Sequence, residues 1–177
     1  MDFLNKIKIN RITKDRFLVL IEISKGSKKK YEIDKETGFL MVDRFLTTSF
    51  CYPANYGFIP LTHCDDNDPL DVFVLSQEIL EPMTLIECRP LGVIRMIDNY
   101  ELDEKIIAVP LCDLSMNLYQ NINDLPSSLI VEIEHFLLHY KDLEQKKVVI
   151  EKIEDVRKAY VVIEKSLTRY QKINKNK

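Results

Sequence analysis

The chain has 177 residues, of which 46% are hydrophobic and 30% charged, with a formal net charge of −3. That length suits one domain with a buried core, taken as residues 1–177, and the near-neutral balance argues against a nucleic-acid or polyanion-binding surface. No segment is long and apolar enough to cross a bilayer, and Met1 to Lys14 lacks the continuous apolar stretch of a signal peptide, so a cytoplasmic protein without a membrane partner is expected.

In chain order, Arg16–Ile23 is rich in β-formers and apolar on both faces, which predicts a buried strand. Further strands are expected at Lys29–Ile33, Phe39–Phe45, Asp71–Leu75, Leu91–Ile97 and Lys105–Val109, with hairpin chemistry at Glu36-Thr37-Gly38. Many short strands favour a mainly β fold of the barrel or sandwich kind. A helix is predicted from Pro126 to Glu144, where Leu129, Ile133, Phe136, Leu137 and Tyr140 form an apolar stripe. A second carries Val156, Tyr160, Ile163, Leu167 and Tyr170, and fraying is expected over 171–177. The cysteines at 51, 64, 88 and 112 form no C-x-x-C pair, consistent with free thiols.

The densest chemical signal is Asp65-Asp66-Asn67-Asp68-Pro69-Leu70-Asp71. Closely spaced carboxylates with a turn-fixing proline offer hard oxygen ligands of the sort magnesium takes alongside water. Alone, the segment reads equally well as an exposed acidic turn. An EF-hand fits worse, since Pro69 and Leu70 fall where that loop wants a ligand and a glycine. Asp98 and Asp103, followed by Lys105, lie between two predicted strands, at one rim of a barrel. By themselves they suit a solvated loop; with the first cluster they could hold a second metal. Glu22 is the one charge in an apolar strand and either ends it in solvent or lines a polar cavity. Lys30, Arg44, Tyr52, Tyr56, Tyr140 and Lys141 supply donors suited to phosphate oxygens. His135 and His139 have zinc-like spacing but enclose no glutamate base, so packing at a helix or subunit contact is the expected role.

Further segments stand in order along the chain: Tyr31-Glu32-Ile33-Asp34-Lys35, Val42-Asp43-Arg44-Phe45, Tyr52-Pro53-Ala54-Asn55-Tyr56-Gly57 and Asp66 through Asp71. Arg89-Pro90-Leu91-Gly92-Val93, the Asp98/Asp103/Lys105 set, Ala108-Val109-Pro110 and His139-Tyr140-Lys141-Asp142-Leu143-Glu144 follow. Over roughly residues 16 to 145 these segments resemble the soluble family I inorganic pyrophosphatases of bacterial type.

The resemblance implies a five-stranded OB-like closed barrel with flanking helices, assembled as a homohexamer, that hydrolyses inorganic pyrophosphate with several Mg2+ ions. It assigns Asp66, Asp71 and Asp103 to the first magnesium and Asp71 also to a second, with the nucleophilic water between the two ions. Asp68 would take that water's proton. Asp98 and Asp103 would bind a magnesium arriving with substrate, and Glu32 another. Lys30, Arg44, Tyr56, Lys105, Tyr140 and Lys141 would grip the phosphates, with Glu22 and Tyr52 in support. Among these, Asp68, Tyr56, Lys30 and Arg44 are the expected catalytic residues.

Three positions depart from the family pattern. Asn67 replaces a usual glycine, a substitution that left-handed backbone tolerates. Asn99 replaces a common glutamate after Asp98. Gln145-Lys146-Lys147-Val148-Val149-Ile150 replaces a tryptophan-containing segment, leaving the last strand, the C-terminal helix and their hexamer contacts open. The rival readings are another metal-dependent phosphohydrolase, or a non-catalytic OB-like module, which would want aromatics interleaved with a basic groove rather than this acidic rim.

Overall fold

A computed structural model describes residues 6–34, 36–144 and 147–175. The first five residues of the N-terminal segment, Lys35 of the Tyr31–Lys35 motif, and Gln145 and Lys146 of the divergent segment lie outside them, as do Asn176 and Lys177 of the tail.

The strands are β1 (Phe17–Ile23), β2 (Lys29–Ile33), β3 (Leu40–Phe45), β4 (Asn55–Ile59), β5 (Leu70–Val74), β6 (Leu85–Asp98), β7 (Glu101–Pro110) and β8 (Val148–Asp155). Helix α1 runs Ser127–His139 and α2 runs Val156–Lys175. The main sheet has the order β1-β4-β5-β7-β6-β8, and β1 also pairs with β6. Five strands therefore close into a ring, with β8 added outside it and β2-β3 forming a separate hairpin. The expected mainly β fold with two late helices is the one observed.

Both sides of the ring strands are apolar, which explains why β1 reads as continuously hydrophobic. Alternate residues go to different clusters. Phe17, Val19, Ile21, Val72, Val74, Ile106 and Ala108 join Ala159, Ile163 and Leu167 of α2. Phe73, Ile94, Met96, Ile107 and Val109 join Ile133, Phe136 and Leu137 of α1. The period-2 pattern of the strands thus sorts the two helices to two faces.

Three irregularities shape the site. The β1–β4 register steps from Ile21↔Gly57 to Ile23↔Tyr56, leaving Glu22 as a bulge residue. There a Cβ on Gly57 would stand 2.0 Å from the Leu20 carbonyl oxygen, so only glycine permits this approach. In β2–β3 the step from Lys30↔Arg44 to Tyr31↔Val42 bulges out Asp43. The β6–β7 hairpin turns in two residues, Asn99 (φ 50°) and Tyr100 (φ 72°), between the paired Asp98 and Glu101. Asn99 therefore sits where asparagine suits a left-handed hairpin turn.

Several boundaries differ from expectation. β4 is not among the expected strands, and all five of its residues are buried. β6 is longer because it pairs in succession with β1, β7 and β8. α1 stops at His139, and a 3₁₀ turn occupies Asp142–Glu144. The divergent segment does form a last strand, β8. Helix α2 continues to Lys175.

Candidate active site

The acidic turn is built by its own backbone. Thr62 Oγ1 donates to the Ile59 carbonyl (2.5 Å) and accepts the Leu70 N–H (2.8 Å), pinching the two ends together. Inside, the Cys64 N–H donates to the Asp68 carbonyl (2.8 Å), and the Asp68 N–H to Asp66 Oδ1 (3.0 Å). Asn67 adopts φ 67°, the left-handed conformation its family counterpart's glycine would take without strain. Asp66 and Asp68 are displayed on the turn, and Asp71 follows in β5.

From there the ring brings the second acidic pair alongside. β5 and β7 run parallel with Asp71 beside Lys105. Lys105 Nζ lies 2.5 Å from Asp71 Oδ2 and 2.7 Å from Asp103 Oδ1. Burial works against the Lys105 charge, but Asp71, Tyr56 and Asp103 outweigh it and hold its pKa well above the ordinary value. Asp66 is pushed up by burial and the neighbouring Asp103, Asp68 and Asp71. Glu22 is raised as well: burial first, then the Asp71 charge, push it up to about 8, although the Ile33 N–H donates to it at 2.9 Å.

The opposite wall carries cations and phenols. Lys30 Nζ contacts Glu32 and, at 3.1 Å, Asp43; Arg44 Nη1 lies 3.1 Å from Glu144. Lys141 Nζ pairs with Asp98, and burial nevertheless lowers the Lys141 pKa. Tyr52, Tyr56 and Tyr140 pack in a chain of rings with Phe73 and Phe136, at centroid separations of 4.8–5.4 Å. Burial raises all three phenol pKa values, so their hydroxyls remain protonated donors at neutral pH.

These groups face one cleft of about 440 Å³. Glu22, Lys30, Glu32, Tyr52, Tyr56, Asp66, Asp68, Asp71, Asp98, Asp103, Lys105, Tyr140 and Lys141 all line it. Arg44 does not line it but sits beside Lys30 across the β2–β3 pair. Three neighbours went unnoticed as site residues in the sequence. Glu101 lines the cleft opposite Asp98 in the hairpin, and Asp43 and Glu144 tether Lys30 and Arg44. Placing the two-residue turn would have revealed Glu101; Glu144 comes from 100 residues away and left no local signal. His135 and His139 stay apart from this cleft, packing on Phe50 at 5.2 and 6.4 Å, which agrees with a packing role.

The donor set fits a hard divalent cation. Eight carboxyl groups line the cleft against three ammonium groups, and even with Glu22 protonated the imbalance needs further positive charge. Among the described residues, buried Asp98 Oδ1 has no hydrogen-bond partner, and an oxygen so placed is a ready ligand. Among those residues, no group of three His, Cys, Asp or Glu side chains is already gathered closely enough to hold an ion by itself. An open, carboxylate-rich arrangement suits a hard divalent cation that keeps part of its water shell.

A protein-family model described as inorganic pyrophosphatase matches residues 19–171. An inorganic pyrophosphatase from Aquifex pyrophilus is 44% identical over 157 residues, covering 87% of this chain and 89% of that relative. A soluble inorganic pyrophosphatase from Chlamydomonas reinhardtii is 45% identical over 152 residues, covering 86% and 79%. Among solved structures, the inorganic pyrophosphatase of Helicobacter pylori superposes with a TM-score of 0.89 at 41% identity, covering 94% of this chain and 99% of that one.

Proposed function

The chain belongs to the inorganic pyrophosphatase family and hydrolyses pyrophosphate to two orthophosphates, and from that premise we propose that it works through several Mg2+ ions held by the cleft carboxylates. Asp66, Asp71 and Asp103 would hold the first ion, Asp71 also a second, Asp98 and Asp103 one accompanying substrate, and Glu32 another. Magnesium there would supply acidity to bound water and neutralise phosphate charge. The observation that carries this reading is the convergence of eight carboxyl groups and three ammonium groups on one cleft.

The chain's own groups divide the remaining work. Lys30, Arg44, Lys105 and Lys141 hold the phosphoryl oxygens by charge, while the protonated Tyr56 and Tyr140 hydroxyls donate to them and fix orientation. Asp68, displayed on the turn, takes the proton from the attacking water as its oxygen bonds to phosphorus and the bridging P–O bond breaks. The leaving phosphate carries away the bond's electron pair, stabilised by the cationic wall, and no covalent enzyme intermediate is required. Glu22 and Tyr52 support this wall: the Glu22 carboxyl accepts the Ile33 N–H at the end of β2, and the Tyr52 ring packs on Tyr56.

The same reading makes residues 1–177 one catalytic domain that acts in the cytoplasm as a homohexamer, removing pyrophosphate released by biosynthetic reactions. The direct test of the substrate is competition between pyrophosphate and ATP at equal concentration with Mg2+. Phosphate release from pyrophosphate should dominate; preference for ATP would favour a different phosphohydrolase. Gel filtration at micromolar protein tests assembly, and a stable monomer would contradict the hexamer.

A further inference from the structure

A small cavity of about 10 Å³ lies behind the acidic turn. Asp66, Asp71 and Asp103 face it from one side, and Lys165, Ser166 and Arg169 of α2 from the other. Three contacts cross beside it. The Arg169 guanidinium pairs with Asp65 Oδ1, Lys165 Nζ lies 3.7 Å from Asp65 Oδ2, and the His63 N–H donates to the Ser166 carbonyl at 3.1 Å. The helix making these contacts is itself fixed, with Ala159, Ile163 and Leu167 buried against the ring. Asp65, which carried no role in the sequence reading, is therefore the point at which a rigid helix grips a turn, one residue before Asp66.

We propose that Asp65, Arg169 and Lys165 are positioning residues: α2 aims the Asp66–Asp71 turn and thereby raises its affinity for the divalent cation. This rests on the metal reading above. The side chains of Asp65 and Lys165 are 51% and 53% exposed, so the pairing contributes little to global stability. Its effect is local, because a ligand-bearing turn held in place before the cation arrives loses less freedom on binding.

Charge alone makes a different prediction. Removing Asp65 would weaken cation binding, whereas removing Arg169 would leave Asp65 uncompensated and strengthen it. Positioning weakens binding in both cases.

The experiment measures the Mg2+ concentration at half-maximal thermal stabilisation of the metal-stripped protein, without substrate, in about 0.15 M KCl to screen long-range charge. The Mg2+ midpoint for pyrophosphate hydrolysis is read in parallel. Asp65→Asn and Arg169→Gln should each raise both midpoints about tenfold, with kcat at saturating Mg2+ close to wild type. The double variant should be no worse than either single one, since both break the same contact. Arg169→Lys, which keeps the charge and the helix, should recover most of the wild-type midpoint. Unchanged midpoints, or single variants shifting in opposite directions, overturn the proposal. If the wild type itself gives no Mg2+ response, the metal reading fails and this inference fails with it; a responsive wild type with unresponsive variants overturns this inference alone.

Discussion

Asp71 and Lys105 stand side by side on the parallel pair β5–β7, with Nζ 2.5 Å from Oδ2, and the same ammonium reaches Asp103 at 2.7 Å. One buried cation thus joins carboxylates from two constellations that are more than thirty residues apart in sequence. Removing it leaves two carboxylates facing each other without compensation. Lys105→Met should destabilise the metal-stripped protein by about 3 kcal/mol, measured by urea unfolding in chelator. Mg2+ should recover part of that loss, because a cation can then sit between the carboxylates. An equal loss in chelator and in Mg2+ would argue against cation binding at this pair.

Asp68 belongs to the same turn but is given different work. Asp68→Asn keeps the shape and removes the proton acceptor, so kcat should fall roughly 10²- to 10⁴-fold. Because Asp68 is not assigned as a magnesium ligand, Mg2+-induced thermal stabilisation should persist in this variant. Loss of that stabilisation would reassign Asp68 as a ligand.

Glu22 makes the metal-free protein sensitive to pH. Its folded pKa is about 8 against 4.5 as the ordinary value, so the folded state binds the proton more tightly than the unfolded chain does. Below the ordinary value both states are protonated and Glu22 carries no ionic penalty. As pH climbs through the interval between the two values, the unfolded chain releases its proton first and stability falls. Glu22→Gln should therefore stabilise the metal-stripped protein on the order of 3 kcal/mol at pH 8, and hardly at all near pH 4. A stability difference that does not change with pH would contradict the buried, protonated assignment.

Tyr100 ends the β6–β7 turn at φ 72° with 97% of its surface exposed. Strain there is not offset by packing. Tyr100→Gly should raise stability by about 0.5–1 kcal/mol, seen as a higher melting temperature. A decrease would mean that the ring has a packing partner in the assembled protein.

Where each residue's neighbours are local, the sequence was readable. The uninterrupted apolar β1, the stripe of α1 and the Asp66–Asp71 turn were all recognisable from spacing, and the family resemblance joined them into one site. What remained hidden depends on register. That Glu22 is bulged out of the β1–β4 pairing cannot be seen until Gly57 is placed against Leu20. β4 is not among the expected strands, and its burial comes from two neighbouring strands. The pairing of Asp65 with α2 spans about a hundred residues, so no local pattern announced it. Half-buried Arg169 has nothing in its local sequence to set it apart from the other charges of α2.

The central claim, hydrolysis of pyrophosphate by magnesium held on the ring's carboxylates, is tested most directly by returning Mg2+ to metal-stripped protein and measuring phosphate release from pyrophosphate. Wild type should go from near silence to full turnover, while Asp71→Asn, which keeps the side-chain shape but loses the shared ligand charge, should remain nearly inactive at the same Mg2+. Release that needs no Mg2+, or equal activity in Asp71→Asn, would contradict it.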